Sequence, residues 1–118
     1  MVDDDALFRW ALTETLSACG HDVVEAADAE GALQAVTSVT TPFDVVLLDF
    51  RLPDSSDLAL MSRLRRLSPS AQIIVMTSYG TNEILRGALD LGAHSVINKP
   101  FEISQVAQLV AGAHASRC

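Results

Sequence analysis

The sequence predicts one α/β domain built on a parallel β-sheet that is covered by helices on both faces. Short apolar runs alternate with segments of helical spacing, and this alternation occurs five times in 118 residues. Such a pattern is typical of parallel sheets joined by crossover helices. The central apolar run, residues 45–48, is too short for a helix and too apolar for a strand with one wet face. It therefore predicts a strand that is buried on both sides.

Composition restricts the class of protein. A length of 118 residues with 49% hydrophobic content suits one domain with a single core, and we expect that domain to span residues 1–118 with no output domain. The net charge of −7 leaves no basic surface for a phosphate backbone, so we expect no direct nucleic-acid binding. No apolar run reaches membrane length, so we expect no membrane segment. Cys19 and Cys118 follow neither metal nor disulfide spacing, which favours a reducing cytoplasm.

Each predicted element has its own local signal. Gly20 and Gly92 end two helical patterns, Asp28 is a favourable helix N-cap, and Pro69 interrupts the chain after the third helix. The predicted strands cover residues 1–2, 23–24, 45–48, 73–76 and 95–97, and the second is a short strand that ends near Ala26. The predicted helices cover residues 8–19, 29–39, 58–67, 81–91 and 103–114. Their inward-facing side chains are predicted to include Leu12, Leu16, Cys19, Leu33, Val36, Leu60, Met61, Leu64, Leu67, Ile84, Leu85, Ala88, Leu91, Val106, Leu109 and Val110.

Polar side chains follow four of the five predicted strands. The first strand ends at an acidic run, residues 3–5, the third at Asp49, the fourth at Thr77 and the fifth at Lys99. A parallel sheet brings these ends to one edge, where open α/β sheets hold their ligands. We therefore expect these side chains to form one site.

Those residue types suit phosphoryl chemistry. Clustered carboxylates repel one another unless a cation is present, and their hard oxygens suit Mg²⁺. A carboxylate such as Asp49 can act as the nucleophile that accepts a phosphoryl group. Mg²⁺ and the Lys99 ammonium would neutralise charge, and the Thr77 hydroxyl would donate to a phosphoryl oxygen. The residues thus predict an acyl phosphate formed on an aspartate.

Four motifs carry a resemblance to a known family. They are Val2-Asp3-Asp4-Asp5, Leu48-Asp49 with Leu52-Pro53-Asp54, Val75-Met76-Thr77-Ser78 and Lys99-Pro100-Phe101. Through them the chain resembles, along its whole length, the receiver domain of two-component response regulators. The motifs are specific together, in this order and spacing, and weak singly. The resemblance implies a flavodoxin-like, doubly wound, five-stranded parallel sheet of order 2-1-3-4-5 with five helices.

The resemblance also implies a signalling function. Asp49 would accept a phosphoryl group from a phosphohistidine on a sensor histidine kinase or a histidine phosphotransfer protein, and Thr77 and Lys99 would contact that group. Such a domain catalyses only its own phosphoryl transfer and dephosphorylation, and it switches a partner or an output domain. A homodimer is a further candidate assembly. Residues 76–81 look most like those of receivers attached to DNA-binding transcription activators.

The resemblance assigns the metal ligands as well. Asp3, Asp4 and Asp49 would hold Mg²⁺ together with the backbone carbonyl of Arg51, and Asp4 is favoured over Asp3 as a direct ligand. Asp5 is better explained as the acid that begins a helix, because acidic residues suit helix N-termini.

Two departures from the family pattern concern the sheet. Only Met1 and Val2 precede the acidic run, whereas receivers usually carry several apolar residues there, so the first strand is truncated. Val96 stands where the last strand of the family usually carries an aromatic switch residue. The second departure affects signal output more than phosphorylation.

Two other functions and one surface residue complete the predictions. The chain could be a phosphorylation-independent, receiver-like binding module, or an aspartate-nucleophile phosphatase. The phosphatase class carries an Asp-x-Asp motif, and in this sequence Arg51 stands at the position of the second aspartate.

Helical phase turns Trp10 outward beside the acidic edge. Because aromatic residues are enriched at interfaces, we expect Trp10 to help dock the phosphodonor.

Overall fold

The computed structural model describes residues 1–3, 5–38, 43–49, 59–77, 82–98 and 103–117. The helices are α1 (Ala6–Ala18), α2 (Ala29–Ser38), α3 (Ala59–Leu67), α4 (Asn82–Asp90) and α5 (Ile103–Arg117). The strands of the described part are β1 (Val45–Asp49), β2 (Gln72–Thr77) and β3 (Ser95–Asn98). No described helix is long and apolar enough to cross a lipid bilayer.

All strand pairing is parallel. The sheet runs β1-β2-β3, with Asp49 opposite Met76 and Thr77 opposite Asn98. On the other edge of β1, Val2 forms single parallel bridges to Leu48 and to Ala26. The five extended segments are those of Val2, Ala26, β1, β2 and β3. Numbered in chain order and taken across the sheet from Ala26, they lie in the order 2-1-3-4-5. The doubly wound topology predicted from the sequence is therefore confirmed.

The first two predicted strands are present in the described residues as single bridges at Val2 and Ala26. In the described residues the segment at 23–24 is not a strand, although the Val24 carbonyl accepts a hydrogen bond from the Met1 amine at 2.8 Å. Val24 is exposed. The predicted short strand at 23–24 ending near Ala26 is thus represented, in the described residues, by the bridge at Ala26.

Two apolar clusters lie on opposite faces of the sheet. Odd-numbered residues of β1 and even-numbered residues of β2 face α1 and α5, which contribute Leu12, Leu16 and Val106. The alternate residues of the same strands face α2, α3 and α4, where Leu64 and Ala88 are buried. Because each strand alternates between two buried faces, the near-continuous apolar runs seen in the sequence follow directly.

Four residues predicted to face inward are exposed: Cys19, Leu67, Leu85 and Leu91. Cys19 is the C-cap of α1, and Leu67 is the last residue of α3. Leu91 lies just beyond the end of α4. Side chains at the ends of these helices extend beyond the sheet against which the helices pack. Among the described side chains of α4, Ala88 is fully buried. The face of α4 that contacts the core is therefore narrow, and Leu85 lies outside it.

The helix-end signals are confirmed. Asp5 caps α1, since its carboxylate accepts hydrogen bonds from the amides of Leu7 and Phe8, each at 3.1 Å. The Asp28 carboxylate accepts from the Gly31 amide at 2.8 Å at the start of α2. Gly92 has a φ of 95°, the left-handed conformation that ends helices without a Cβ penalty.

Candidate functional site

Backbone hydrogen bonds place two aspartates side by side at the carboxyl edge of the sheet. The Val2 amide donates to the Leu47 carbonyl at 2.7 Å, and the Asp49 amide donates to the Val2 carbonyl at 2.9 Å. This register sets Val2 opposite Leu48 and therefore Asp3 opposite Asp49. Neighbouring strands lie roughly 4.8 Å apart. Asp3 and Asp49 are thus adjacent residues of the same edge, as the sequence predicted.

Both aspartates are buried. Asp3 is 0% exposed and Asp49 is 7% exposed. The amide of Asp5 donates to Asp3 Oδ1 at 2.9 Å, so the start of α1 holds one oxygen of this carboxylate. Burying two carboxylates on neighbouring strands is unfavourable when both are ionised and no cation lies between them. Asp3 and Asp49 thus form the buried acidic part of the described sheet edge.

Thr77 completes the described part of the edge. It is the last residue of β2, is 1% exposed, and directly follows Met76, the partner of Asp49. On its other side Thr77 pairs with Asn98, the last residue of β3. Lys99 is the next residue in the chain. The ends of four parallel segments are thus aligned as the sequence predicted.

Three predicted site residues, Asp4, Arg51 and Lys99, lie outside the described residues. Within the described part of the chain, no group of three acidic, histidine or cysteine side chains is close enough to hold a metal ion. Asp3 and Asp49 are the two acidic members of the predicted metal site that are described. They supply the hard carboxylate oxygens that Mg²⁺ prefers.

Arg9 is a contributor that the sequence did not indicate. Its guanidinium Nη1 donates to the backbone carbonyl of Asp3 at 2.6 Å, and its Nε lies 3.3 Å from a carboxylate oxygen of Glu25. Arg9 therefore ties α1 to the end of the first strand and to the segment before α2. The available signal in the sequence was a basic residue in the first helical turn after an acidic run.

Trp10 lies in the second turn of α1 and is 61% exposed. Its outward orientation confirms the prediction from helical phase. Leu7, one turn earlier on the same helix, is exposed as well. The docking role of Trp10 stays a prediction.

Comparison of the sequence with models of known protein families identifies the family of this chain. The family model of the response regulator receiver domain matches residues 1–111. The chain belongs to the response-regulator receiver family. Its membership agrees with the aligned strand ends described above, and it favours phosphoacceptor signalling over a phosphorylation-independent module or a phosphatase.

Sequence relatives of this receiver include longer regulators and a protein of similar size. It is 32% identical over 110 residues to the DNA-binding transcriptional regulator NtrC of Klebsiella pneumoniae, covering 93% of this chain and 23% of that protein. It is 30% identical over 110 residues to sporulation initiation phosphotransferase F of Bacillus subtilis, covering 93% and 87% of the two chains. The receiver therefore spans about a quarter of the length of NtrC.

Solved structures confirm the fold. A CheY-like receiver domain protein from Methanospirillum hungatei superposes with a TM-score of 0.91 at 26% identity, covering 98% of this chain and 91% of that one. The receiver domain of NtrX from Brucella abortus superposes with a TM-score of 0.85 at 28% identity, covering 98% and 96%. The receiver is thus a two-component signalling domain rather than a conventional enzyme. Receiver domains in general bind Mg²⁺ at an acidic pocket and act with histidine kinases or phosphotransfer proteins.

Proposed function

We propose that Asp49 is the phosphoacceptor of this receiver and that its donor is a phosphohistidine on a sensor histidine kinase or a histidine phosphotransfer protein. The observation that supports the proposal most strongly is the alignment of Asp3, Asp49 and Thr77 along one sheet edge. Of these, Asp49 follows a fully apolar strand and lies between the other two segments. A nucleophile in that position has neighbours on both sides that can stabilise a transferring group.

The reaction is an exchange of one bond for another. A carboxylate oxygen of Asp49 attacks phosphorus, and the phosphorus–nitrogen bond of the phosphohistidine breaks. Its electron pair returns to the imidazole nitrogen, which takes up a proton, and Asp49 becomes an acyl phosphate. Water later attacks the acyl phosphate, releasing inorganic phosphate and restoring the carboxylate. The receiver thereby catalyses only its own phosphorylation and dephosphorylation.

The neighbouring residues have separate roles in this proposal. Asp3, Asp4, Asp49 and the Arg51 carbonyl would hold Mg²⁺, with Asp4 the favoured direct ligand. The bound cation would supply charge neutralisation at the carboxylates and the phosphoryl oxygens. The Thr77 hydroxyl donates to one phosphoryl oxygen. The burial of Asp3 and Asp49 supports a cation requirement, because two buried carboxylates favour binding of a positive ion.

Three partner assignments accompany the phosphoacceptor role. Trp10 and Leu7, exposed on α1 beside the acidic edge, form the surface that docks the phosphodonor. The receiver acts in the cytoplasm and switches a transcription regulator, as the similarity to NtrC supports. A homodimer is the proposed assembly. The net charge of −7 supports the view that these residues do not bind nucleic acid themselves.

Acetyl phosphate and intact-mass spectrometry test the phosphoacceptor. With Mg²⁺ the receiver should gain one phosphoryl group, and EDTA should abolish the gain. Asp49→Asn should remove it, whereas Asp44→Asn should not, because Asp44 is an exposed acid at the opposite end of the same strand region. Equal modification of the Asp49→Asn variant, or indifference to EDTA, would contradict the proposal.

A further inference from the structure

Arg9 reaches the carboxyl edge of the sheet from α1. Its guanidinium Nη1 donates to the backbone carbonyl oxygen of Asp3 at 2.6 Å, in a partly buried position. A short bond from an ionised donor is of the strong, charge-assisted kind. The Arg9 amide donates to the Asp5 carbonyl at 2.9 Å, so the same residue also closes the first turn of α1. Arg9 therefore links the start of the helix to the strand end that carries the acidic run.

Asp3 is held at three points, and the beginning of α1 provides two of them. The Asp3 amide donates to the Ala26 carbonyl at 3.1 Å, which is a contact of strand pairing. Its Oδ1 accepts a hydrogen bond from the Asp5 amide at 2.9 Å, and its carbonyl accepts the one from Arg9. The Asp3 side chain is fully buried. The position of this buried carboxylate thus depends on α1 as much as on the sheet.

The carbonyl that Arg9 holds belongs to the peptide bond that joins Asp3 to Asp4. A peptide unit is planar, so holding its oxygen also fixes the plane that contains the next amide and the next Cα atom. In the proposed function Asp4 is the favoured direct Mg²⁺ ligand, and Asp3 is another ligand. A single guanidinium bond therefore acts on the backbone of both acidic positions.

We propose that Arg9 is a positioning residue of the metal site, which orients the acidic run through the Asp3 carbonyl and thereby raises the affinity for Mg²⁺. This proposal rests on the Mg²⁺ site of the proposed function. Arg9 touches neither the metal nor the phosphoryl group in this scheme. Loss of a group that orients metal ligands from outside the coordination shell lowers metal affinity by about 10- to 100-fold.

The positive charge of Arg9 acts in the opposite direction. A cation beside an acidic pocket repels Mg²⁺, so by charge alone the loss of Arg9 should tighten Mg²⁺ binding. The Arg9 Nε lies 3.3 Å from a carboxylate oxygen of Glu25, and this ion pair offsets part of the charge. Positioning and electrostatic repulsion therefore predict opposite changes in Mg²⁺ affinity, and the sign of the measured change distinguishes them.

Calorimetric titration with Mg²⁺ tests the proposal on the intact 118-residue chain, at a temperature where circular dichroism shows each variant to be folded. Arg9→Met removes the donor, and the Mg²⁺ dissociation constant should rise by about tenfold. Combining Arg9→Met with Glu25→Gln keeps the net charge at −7, and the rise should persist. Glu25→Gln alone should change the constant by no more than about twofold, because exposed ion pairs contribute little.

Arg63→Met is the matched control, since it removes the same charge from an exposed position of α3 and should leave the dissociation constant unchanged. Arg9→Lys serves if Arg9→Met does not fold. Its single ammonium replaces the separate guanidinium nitrogens and cannot hold the Asp3 carbonyl and Glu25 together, so Mg²⁺ binding should again weaken.

A kinetic measurement separates positioning from loss of stability. In phosphorylation by acetyl phosphate, Arg9→Met should raise the half-saturating Mg²⁺ concentration by about tenfold. The rate at saturating Mg²⁺ should stay close to that of the wild type. A role in stability alone would instead lower the rate through the folded fraction, with the half-saturating concentration unchanged.

Unchanged or tighter Mg²⁺ binding in the folded Arg9 variants would overturn the proposal. Wild-type affinity in the charge-neutral double variant, or an equal loss in Arg63→Met, would overturn it as well. The calorimetric readout does not require phosphorylation. Mg²⁺ binding by the wild type without modification of Asp49 would therefore contradict the proposed phosphoacceptor and leave the Arg9 measurement decisive, whereas a wild type that binds no Mg²⁺ would refute both.

Discussion

The backbone amide of Asp49 donates a hydrogen bond to the carbonyl oxygen of Val2, with an N···O distance of 2.9 Å. This one bond fixes the register between the first segment and β1. It brings Asp3 level with Asp49, although the two residues are separated by most of the first half of the chain. The acidic pair of the candidate site therefore depends on the strand pairing of Val2.

The first prediction concerns the metal. Mg²⁺ should raise the melting temperature, because it binds the folded carboxylate cluster and relieves its repulsion. At a concentration of about 100 times the dissociation constant, linkage gives about 2.7 kcal/mol of stabilisation. Asp4→Asn should remove most of this gain in differential scanning calorimetry. Asp5→Asn is the matched control, since asparagine also caps helices and Asp5 already serves as the N-cap. An equal Mg²⁺ effect in Asp4→Asn and the wild type would show binding elsewhere.

The second prediction concerns the Thr77 hydroxyl. Thr77→Val keeps the shape of this buried side chain and removes the donor. The rate of phosphorylation by acetyl phosphate should fall by about 100-fold, the usual effect of losing one donor to a developing negative charge. Thr77→Ser retains the hydroxyl and should retain most of the rate. Stopped-flow tryptophan fluorescence, with Trp10 as the reporter, or timed mass spectrometry would measure both. A rate for Thr77→Val equal to that of Thr77→Ser would refute the role.

A third prediction separates the two contacts of Arg9. Its bond to the Asp3 carbonyl is short and partly buried, whereas its ion pair with Glu25 is largely open to water on the carboxylate side. Arg9→Met should lower the free energy of unfolding by about 1–2 kcal/mol. Glu25→Gln should lower it by no more than about 0.5 kcal/mol, because exposed ion pairs contribute little. Urea denaturation would compare them. A larger loss in Glu25→Gln would reverse the ranking.

The fourth prediction concerns signal output. In receivers the hydroxyl residue shifts toward the phosphoryl group on activation, and an aromatic of the last strand turns inward. Val96 is short, β-branched and packed against the core beside α4, so it cannot make this movement. Beryllofluoride, a phosphoryl mimic, should therefore change NMR amide shifts little around Val96 and more across residues 78–84. Large shifts at Val96 with a quiet 78–84 segment would reject this route.

Local sequence patterns predicted the five helices and the three strands of the described part, with small differences at their ends. The apolar run of β1 predicted a doubly covered strand, and Asp28 predicted the start of α2; both are confirmed. Local patterns were less reliable about burial. Leu67 and Leu85 have the periodicity of core residues, yet both are exposed. Their exposure depends on how far the sheet extends beneath each helix, which no local window contains.

The sequence by itself determined the alternation of strands and helices, and it put a polar residue at the end of each of four strands. Strand periodicity and turn residues act within a few residues, so they can be read from the chain alone. Only the tertiary structure decided the burial of Asp3, the bond from Arg9 to its carbonyl, and the single bridges on each side of Val2. These features depend on lateral neighbours that are distant in sequence. Their partners are selected by packing and backbone pairing across the whole sheet.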